Sequence, residues 1–275
     1  MKVGFYAGWN EKRRLIGERF AEGVRRHGDS IELRDVGAEV GADDDVAVLI
    51  GNKVRLAVRP GVKVVHLDKS YPAANLRRDH DYARVSIDAV HPSRYLCQLG
   101  MPADRRERLG WQPVPWRRSG DRVLVLGGSR SFYERTGIAD IQEHLQGIVE
   151  LVHRATKLRV QFRPKPNMAR FLGPMRNAEQ VDPYAFLGPI LEGCRSVVVE
   201  ESAVSIEALL CGVPTIALGD APTRPISSPY IRQVEDPYLA SNESVVALLN
   251  DLAYFQYSQG EFVDGTAWEF IRRLL

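Results

Sequence analysis

Short apolar runs alternate with amphipathic stretches along the first half of the chain. Residues 2–7 form an apolar run that predicts a strand, and residues 11–27 show the helical spacing of an amphipathic helix. Further β-branched runs predict strands at 31–34, 46–50, 62–67 and 83–87. A strand, a glycine turn and a helix, followed by more strands, is typical of a Rossmann-like α/β domain.

The second half repeats this order after an irregular stretch. Strands are predicted at 122–126, 158–163, 196–199 and 215–218, and helices at 139–156, about 184–194, 241–257 and 261–275. The proline-rich segment 111–118 predicts the boundary between an N-terminal domain (1–115) and a C-terminal domain (116–275). We therefore expect two doubly wound parallel sheets facing a central cleft, with one continuous Rossmann-type sheet as the alternative.

The composition indicates the class of protein and its cellular compartment. The chain has 275 residues, 44% of them hydrophobic, which is typical of a soluble globular protein. Its apolar runs are shorter than a bilayer span and it begins directly with a strand, so we expect a cytoplasmic protein with no membrane partner. No protein partner is indicated.

Charge and metal-binding residues give weaker signals. The net charge is +2, with a slightly basic first domain that fits an anionic partner or simply a solvated surface. Three scattered cysteines and six histidines without ligand spacing predict no metal site. A divalent cation held by substrate phosphates stays an open alternative.

Residues 200–218 are the most informative segment for function. The pattern predicts a buried strand, a turn with Ser202 as helix N-cap, a short helix carrying Glu207, and a second strand. Gly212 would end the helix in the left-handed conformation before Pro214. The first turn of this helix would favour a phosphate, although any doubly wound protein can contain such a unit.

Other polar residues follow strands of the second domain. After strand 122–126, the backbone of Gly128 and Ser129 and the cation of Arg130 could approach phosphate oxygens, or could form an ordinary tight turn. Prolines stiffen the segment that carries the cations of Arg163 and Lys165 after strand 158–163, which could hold a diphosphate or form a solvated basic loop. Ser228 offers a hydroxyl for a ligand or for a turn.

The first domain carries the candidate for acid–base chemistry. Asp68 ends an apolar strand, where open α/β sheets gather functional residues, and its carboxylate could take a proton from a hydroxyl. A salt-bridged loop is the alternative. Asp81 or His91 could replace it as the base. Trp9 and Asn10 could meet a substrate through an aromatic face and an amide, or Trp9 could be a packing residue.

Several of these segments together resemble a group of bacteriophage GT-B-like glycosyltransferases, distantly similar to capsule-sugar transferases. The similarity extends over nearly the whole chain and is carried by residues 68–71, 82–86, 163–166, the Glu207 segment and residues 252–268. It implies two Rossmann-like domains, with the C-terminal helix crossing back onto the first.

The resemblance also implies roles for the residues. Glu207 would hydrogen-bond the donor ribose, and the amides near Ser202 would face the diphosphate. Pattern and resemblance together give as expected donor-binding residues Gly128, Ser129, Arg130, Arg163, Lys165, Ser202, Glu207 and Ser228. The expected acceptor-binding residues are Trp9, Asn10, Lys69, Tyr71, Arg77, Arg78 and Arg84.

The reaction implied by the resemblance is sugar transfer to DNA. The donor would be a uridine diphosphate sugar such as UDP-glucose, with no tightly bound cofactor. The acceptor would be a 5-hydroxymethyl-type pyrimidine in double-stranded phage DNA, flipped out in the host cytoplasm and held by first-domain arginines such as Arg13, Arg14 and Arg55. A capsule or lipopolysaccharide glycosyltransferase and a non-catalytic nucleotide-binding scaffold are the alternatives.

Overall fold

The computed structural model of the protein describes residues 1–7, 11–34, 40, 43–51, 58–72 and 81–275. The described chain forms two compact units. The first contains the described residues of 1–71 and 81–92 together with 254–275, and the second contains Pro72 and residues 93–253. Residues 93–115 therefore belong to the second unit and 254–275 to the first, which differs from the predicted boundary at 115/116.

The strands of the described chain are β1 (Lys2–Tyr6), β2 (Ser30–Arg34), β3 (Val46–Ile50), β4 (Lys63–Lys69), β5 (Tyr82–Ile87), β6 (Arg122–Leu126), β7 (Arg159–Arg163), β8 (Glu179–Gln180), β9 (Cys194–Val199), β10 (Thr215–Ala217) and β11 (Gln256–Ser258). The helices are α1 (Glu11–Arg26), α2 (Asp104–Arg108), α3 (Arg130–Thr136), α4 (Ile141–Ala155), α5 (Leu187–Glu192), α6 (Val204–Leu210), α7 (Asn242–Ala253), α8 (Gln259–Val263) and α9 (Thr266–Leu274).

The sheet of the first unit has the order β11-β5-β4-β3-β1-β2 and is mixed. Strands β1 to β4 pair with one another in parallel, whereas β5 is antiparallel to β4 and β11 is antiparallel to β5. The predicted helix 241–257 is thus too long, because it ends at Ala253 and its last residues form an edge strand. Alternate aromatic side chains explain this, since Phe255 and Tyr257 are both buried.

The C-terminal segment completes the core of the first unit. The Phe20 ring on α1 lies 5.6 Å from the Phe262 ring and 5.8 Å from the Trp268 ring, centroid to centroid. The indole of Trp268 also donates a hydrogen bond of 2.8 Å to Asp29 Oδ2. The predicted return of the C-terminal helices to the first domain is confirmed.

The sheet of the second unit is parallel throughout, with the order β10-β9-β6-β7-β8. Alternate strand residues pack on opposite faces, as expected of a sheet covered on both sides. Val125 and Val198 lie in one apolar cluster with residues of α3 and α4, whereas Leu124 and Val197 lie in another with residues of α5 and α6.

The segment before the predicted boundary is held in the second unit by buried polar contacts. Asp251 on α7 is fully buried, and its carboxylate accepts hydrogen bonds from the backbone amides of Gln98, Leu99 and Met101. Carboxylates with several such donors fix a loop firmly. None of the helices in the described part of the chain combines the length and apolar character that a bilayer crossing requires.

The strand order of the second unit contains a topological switch point. From β6 the chain proceeds outward to β7 and β8, then returns to form β9 on the other side of β6. The order therefore reverses between β6 and β9. In open α/β sheets, ligands bind beyond the carboxyl ends of the two strands at such a switch point.

Candidate functional site

The carboxyl ends of β6, β7 and β9 bring three predicted site segments to one edge of the second sheet. Residues 127–129 follow β6, residues 164–166 follow β7, and residues 200–202 follow β9. Parallel pairing of these strands places the three turns side by side. The predicted donor-binding segments thus meet at the switch point and its neighbouring strand.

Helix α6 has the predicted C-terminus. Gly212 adopts a left-handed conformation with a φ of 71°. The amide of Val213 donates to Ala208 O at 2.8 Å, and the amide of Gly212 donates to Leu209 O at 3.0 Å. These are the two bonds of a Schellman motif, so the role predicted for Gly212 is confirmed.

The N-terminus of α6 differs by one residue from the prediction. Ala203, not Ser202, is the N-cap residue, and it has helical dihedral angles and no side-chain oxygen. The Ser202 hydroxyl instead accepts a hydrogen bond from the amide of Val204 at 3.3 Å. Ser202 therefore shapes the turn that precedes the helix.

Glu207 and Arg163 form the charged part of this edge. Glu207 is buried, with 6% of its surface exposed. Burial lowers the pKa of the Arg163 guanidinium, and the charges of Glu207 and Asp182 oppose that shift. The two side chains are thus close enough to interact electrostatically.

The hydrogen-bonding capacity of Arg163 is largely used within the unit. Its guanidinium donates to the carbonyl oxygens of Pro183 at 2.6 Å and Ala185 at 2.9 Å. It therefore fixes the segment after β8, a task that the sequence pattern did not indicate. Lys165, the second cation of the stiff segment, is exposed.

In the glycine turn after β6, the backbone amides of Gly127 and Gly128 already donate hydrogen bonds within the protein. The amide of Gly127 donates to Arg163 O at 3.0 Å, and the amide of Gly128 donates to the Tyr133 hydroxyl at 2.7 Å. The Ser129 hydroxyl is the N-cap of α3 and accepts from the amide of Phe132 at 3.2 Å. The alternative of an ordinary turn therefore describes these residues, and their donor-binding role stays a prediction.

Arg130 and Ser228 also have partners within the second unit. The Arg130 guanidinium pairs with Glu134 at 3.0 Å on the exposed side of α3. The Ser228 hydroxyl is buried, donates to the side chain of Gln233 and accepts from the amide of Tyr230 at 3.1 Å. Turn formation accounts for Ser228 in this structure.

Glu200 is a site residue to which the sequence pattern assigned no role. It follows β9, is 8% exposed, and accepts hydrogen bonds from the Tyr133 hydroxyl at 3.2 Å and from His144 Nε2 at 2.6 Å. We call Glu200, Tyr133, His144 and Gly128 the Glu200 cluster. Tyr133 lies on a helix that was not predicted, and nothing in the periodicity distinguished His144 from the other polar residues of α4.

In the first unit, three polar side chains lie in one row across the sheet. Asp68 on β4 pairs with Arg84 on β5, which pairs with Gln256 on β11. Directly paired residues project from the same face of a sheet. Arg84 is buried and donates to Asp68 Oδ2 at 2.7 Å, and the Asp68 side chain is 29% exposed. The salt-bridged alternative for Asp68 is thus present in the structure.

Tyr71 and His91 extend this row into the interior. The Arg84 guanidinium lies 5.3 Å from the centre of the Tyr71 ring, and the Tyr71 hydroxyl lies 2.7 Å from His91 Nδ1. The Tyr71 amide donates to the side chain of Gln256. His91 is only 2% exposed, so its burial argues against a role as the base.

Two other predicted residues of the first unit lie on its surface. Asp81 is exposed at the start of β5, and its backbone carbonyl accepts from the amide of Gln259 at 3.0 Å. Lys69 is exposed at the end of β4. The predicted site residues Trp9, Asn10, Arg77 and Arg78, and the candidate Arg55, lie outside the described residues.

The arginines of α1 offer a partial basic surface. Arg14 pairs with Glu18 at 3.3 Å, and both side chains are at least half exposed. In the ranges that the structure describes, no three His, Cys, Asp or Glu side chains are grouped as metal ligands would be.

Comparisons with known proteins yielded structural similarity but no sequence match. No protein-family model and no curated protein matches the sequence. The chain is similar in structure to the beta Kdo 2,7 transferase of KpsC from Thermosulfurimonas dismutans, with a TM-score of 0.60, 12% identity, and coverage of 98% of this chain and 100% of that one.

A second similar structure is the beta Kdo 2,4 transferase of the same KpsC. Its TM-score is 0.53 at 12% identity, with coverage of 94% of this chain and 92% of that one. At this identity the similarity establishes the fold alone. The predicted GT-B architecture is confirmed: the chain has the fold of the GT-B glycosyltransferases.

Proposed function

We propose that the protein is a glycosyltransferase that moves a sugar from a nucleotide-sugar donor to an acceptor hydroxyl. The observation that carries this proposal is the position of the Glu207 helix. It follows β9 at the switch point of an all-parallel sheet, in a chain with the GT-B fold.

Donor binding is assigned to the second unit. Glu207 would accept hydrogen bonds from the ribose hydroxyls, and the exposed cation of Lys165 would attract the diphosphate. Ser202 and the turn after β9 would lie beside the phosphates. The expected donor is a uridine diphosphate sugar such as UDP-glucose. Any divalent cation would be held by the phosphates of the donor.

Proton removal is assigned to Asp68 in the first unit. Its carboxylate is partly exposed, so an acceptor hydroxyl can reach it. Arg84 donates to Asp68 Oδ2 and the backbone amide of Lys69 donates to Oδ1 at 2.8 Å, so both contacts orient the carboxylate. A base held in this way can take the hydroxyl proton as the bond to the sugar forms. The exposed Lys69 would contact the acceptor, whereas the buried Arg84 and Tyr71 would support Asp68 from the interior of the same unit.

We infer that the acceptor is a carbohydrate hydroxyl. Support comes from the similarity to two Kdo transferases, one of them over its full length. A hydroxymethylated pyrimidine in DNA is the second candidate acceptor, supported by the exposed Lys69 beside Asp68 and the exposed Arg14 on α1.

One assay tests the activity and separates the acceptors. The protein is incubated with UDP-, dTDP-, GDP- and CMP-activated sugars, and with either capsule-type oligosaccharides or duplex DNA containing 5-hydroxymethylpyrimidine. Mass spectrometry of the oligosaccharides or of digested nucleosides should show one added sugar on the oligosaccharide. An increment only on the nucleoside supports the DNA acceptor. Nucleotide binding without transfer to either would instead support the scaffold alternative.

A further inference from the structure

We propose that the Glu200 cluster is a positioning device that holds the turn after β6 and the turn after β9 in one fixed geometry, and that nucleotide binding by the second unit depends on it. The inference rests on the proposed function. Glu200, Tyr133 and Gly128 are buried and the His144 side chain is 30% exposed, so we assign the cluster the role of holding the two turns and not that of contacting the nucleotide.

The carboxylate of Glu200 joins two helices to the end of β9. An ionised carboxylate can only accept hydrogen bonds, so both contacts must come from donors. One is the Tyr133 hydroxyl on α3, at 3.2 Å, and the other is His144 Nε2 on α4, at 2.6 Å. The Tyr133 and His144 rings also meet edge to face, with centroids 5.8 Å apart.

Tyr133 extends this connection to the turn after β6. Its ring is fully buried, and this burial, together with the nearby Glu200 carboxylate, raises the pKa of the phenol. The hydroxyl therefore keeps its proton at ordinary pH. It donates a hydrogen bond to Glu200 and accepts one from the backbone amide of Gly128 at 2.7 Å. A continuous chain of hydrogen bonds thus connects the two turns.

The next acid along the chain is anchored to the same helix. Arg135 on α3 forms an ion pair with Glu201, whose side chain is 6% exposed. Both acids that follow β9 are therefore held by side chains of α3, directly before Ser202 and α6. Since Glu207 lies on α6, its position depends on the same anchors.

A single hydroxyl deletion tests the proposal. Tyr133→Phe keeps the buried ring but leaves both the Gly128 amide and Glu200 without a partner at this point. Isothermal titration of the full chain with UDP, dTDP, GDP and CMP identifies the probe that wild type binds best. We expect Tyr133→Phe to weaken its binding about ten-fold, as the loss of one hydrogen bond to a charged group would.

Hydrogen exchange supplies a readout that needs no ligand. Tyr133→Phe should speed amide exchange in residues 127–129 and in residues 200–202 together, while the rest of the sheet keeps its protection. Val149→Ala is the matched control. Val149 is fully buried in the apolar core cluster that also contains Tyr133, but it is not part of the Glu200 cluster. It should lower thermal stability and leave both the affinity and the exchange of the two turns near wild type.

Glu200→Gln gives the conservative comparison, since an amide keeps the shape and can still accept from one donor. It should bind with an affinity between those of wild type and Glu200→Ala. Unchanged affinity in both Tyr133→Phe and Glu200→Ala, with wild type binding normally, would overturn the positioning role alone. If wild type bound none of the nucleotides, the proposed function would be overturned with it.

Discussion

Asp68 carries its charge directly beside a buried guanidinium. Arg84 is 6% exposed, and its Nε has no partner among the described residues, so its single close ion pair with Asp68 is the main compensation for its burial there. This ion pair orients the Asp68 carboxylate. The fixed orientation of its carboxylate suits Asp68 to act as a base.

Two residue changes should separate donor binding from proton removal. Asp68→Asn keeps the bond to Arg84 but cannot take a proton, so kcat should fall about 100-fold or more with the donor Kd unchanged. Glu207→Gln removes the charge near the ribose, so the donor Kd should rise roughly ten-fold or more. Titration and steady-state kinetics measure both effects.

Asp81→Asn is the matched control for the base, because Asp81 is an exposed carboxylate of the same unit. It should leave kcat near wild type. A larger loss of kcat in Asp81→Asn than in Asp68→Asn would refute the choice of Asp68, and a reversed pattern between Asp68 and Glu207 would refute both assignments.

For single residues, the sequence predicts which residue types lie at strand ends but not which groups they bind by hydrogen bonds. The end of β4 was enough to select Asp68, and the Glu207 helix was enough to indicate a ligand edge. Local pattern could not show that Tyr133 takes the Gly128 amide or that Arg163 binds backbone carbonyls. Those contacts join residues brought together only by packing of helices and loops against the sheet.

Among the elements, α6 is the one whose limits follow most directly from local chemistry. A side chain at Gly212 would be strained at its φ of 71°, and a Cβ there would lie 2.4 Å from Pro115 O. Gly212→Ala should therefore lower the free energy of unfolding by about 1–2 kcal/mol or more. Urea denaturation followed by circular dichroism measures the change.

Gly147 lies in the same unit, and we expect its replacement by alanine to have the opposite effect on stability. It lies inside α4, and a Cβ added there would meet no atom within 4 Å. Gly147→Ala should raise the stability by about 0.5–1 kcal/mol, because alanine loses less backbone freedom in a helix. Equal effects of Gly212→Ala and Gly147→Ala on stability would contradict both expectations.

Most helices and parallel strands could be predicted because their apolar periodicity is local. The predicted strand 122–126 matches β6, and 46–50 matches β3. The edge strand β11 was missed since three residues carry too little alternation to outweigh the helical pattern before them. Its pairing with β5 joins residues far apart in sequence, and no local pattern encodes that.

For the whole molecule, the decisive feature is that the first unit is built from both ends of the chain. A chain that ends at Ala253 lacks β11, α8 and α9, so Phe20 loses its contacts with the Phe262 and Trp268 rings and β5 loses one of its two neighbouring strands. We expect its first unit to lose hydrogen-exchange protection while the second unit keeps it. Native-like protection of α1 and β1 in the shortened chain would contradict this.

The discontinuous first unit also sets an order for events on the ribosome. Residues 93–253 belong to the second unit and precede residues 254–275 in the chain, so this part leaves the ribosome first and can begin to fold earlier. The opening strands must wait, with apolar surface uncovered, until residues 254–275 leave the exit tunnel. Chaperones that protect nascent chains should therefore engage the beginning of this protein longer than its middle.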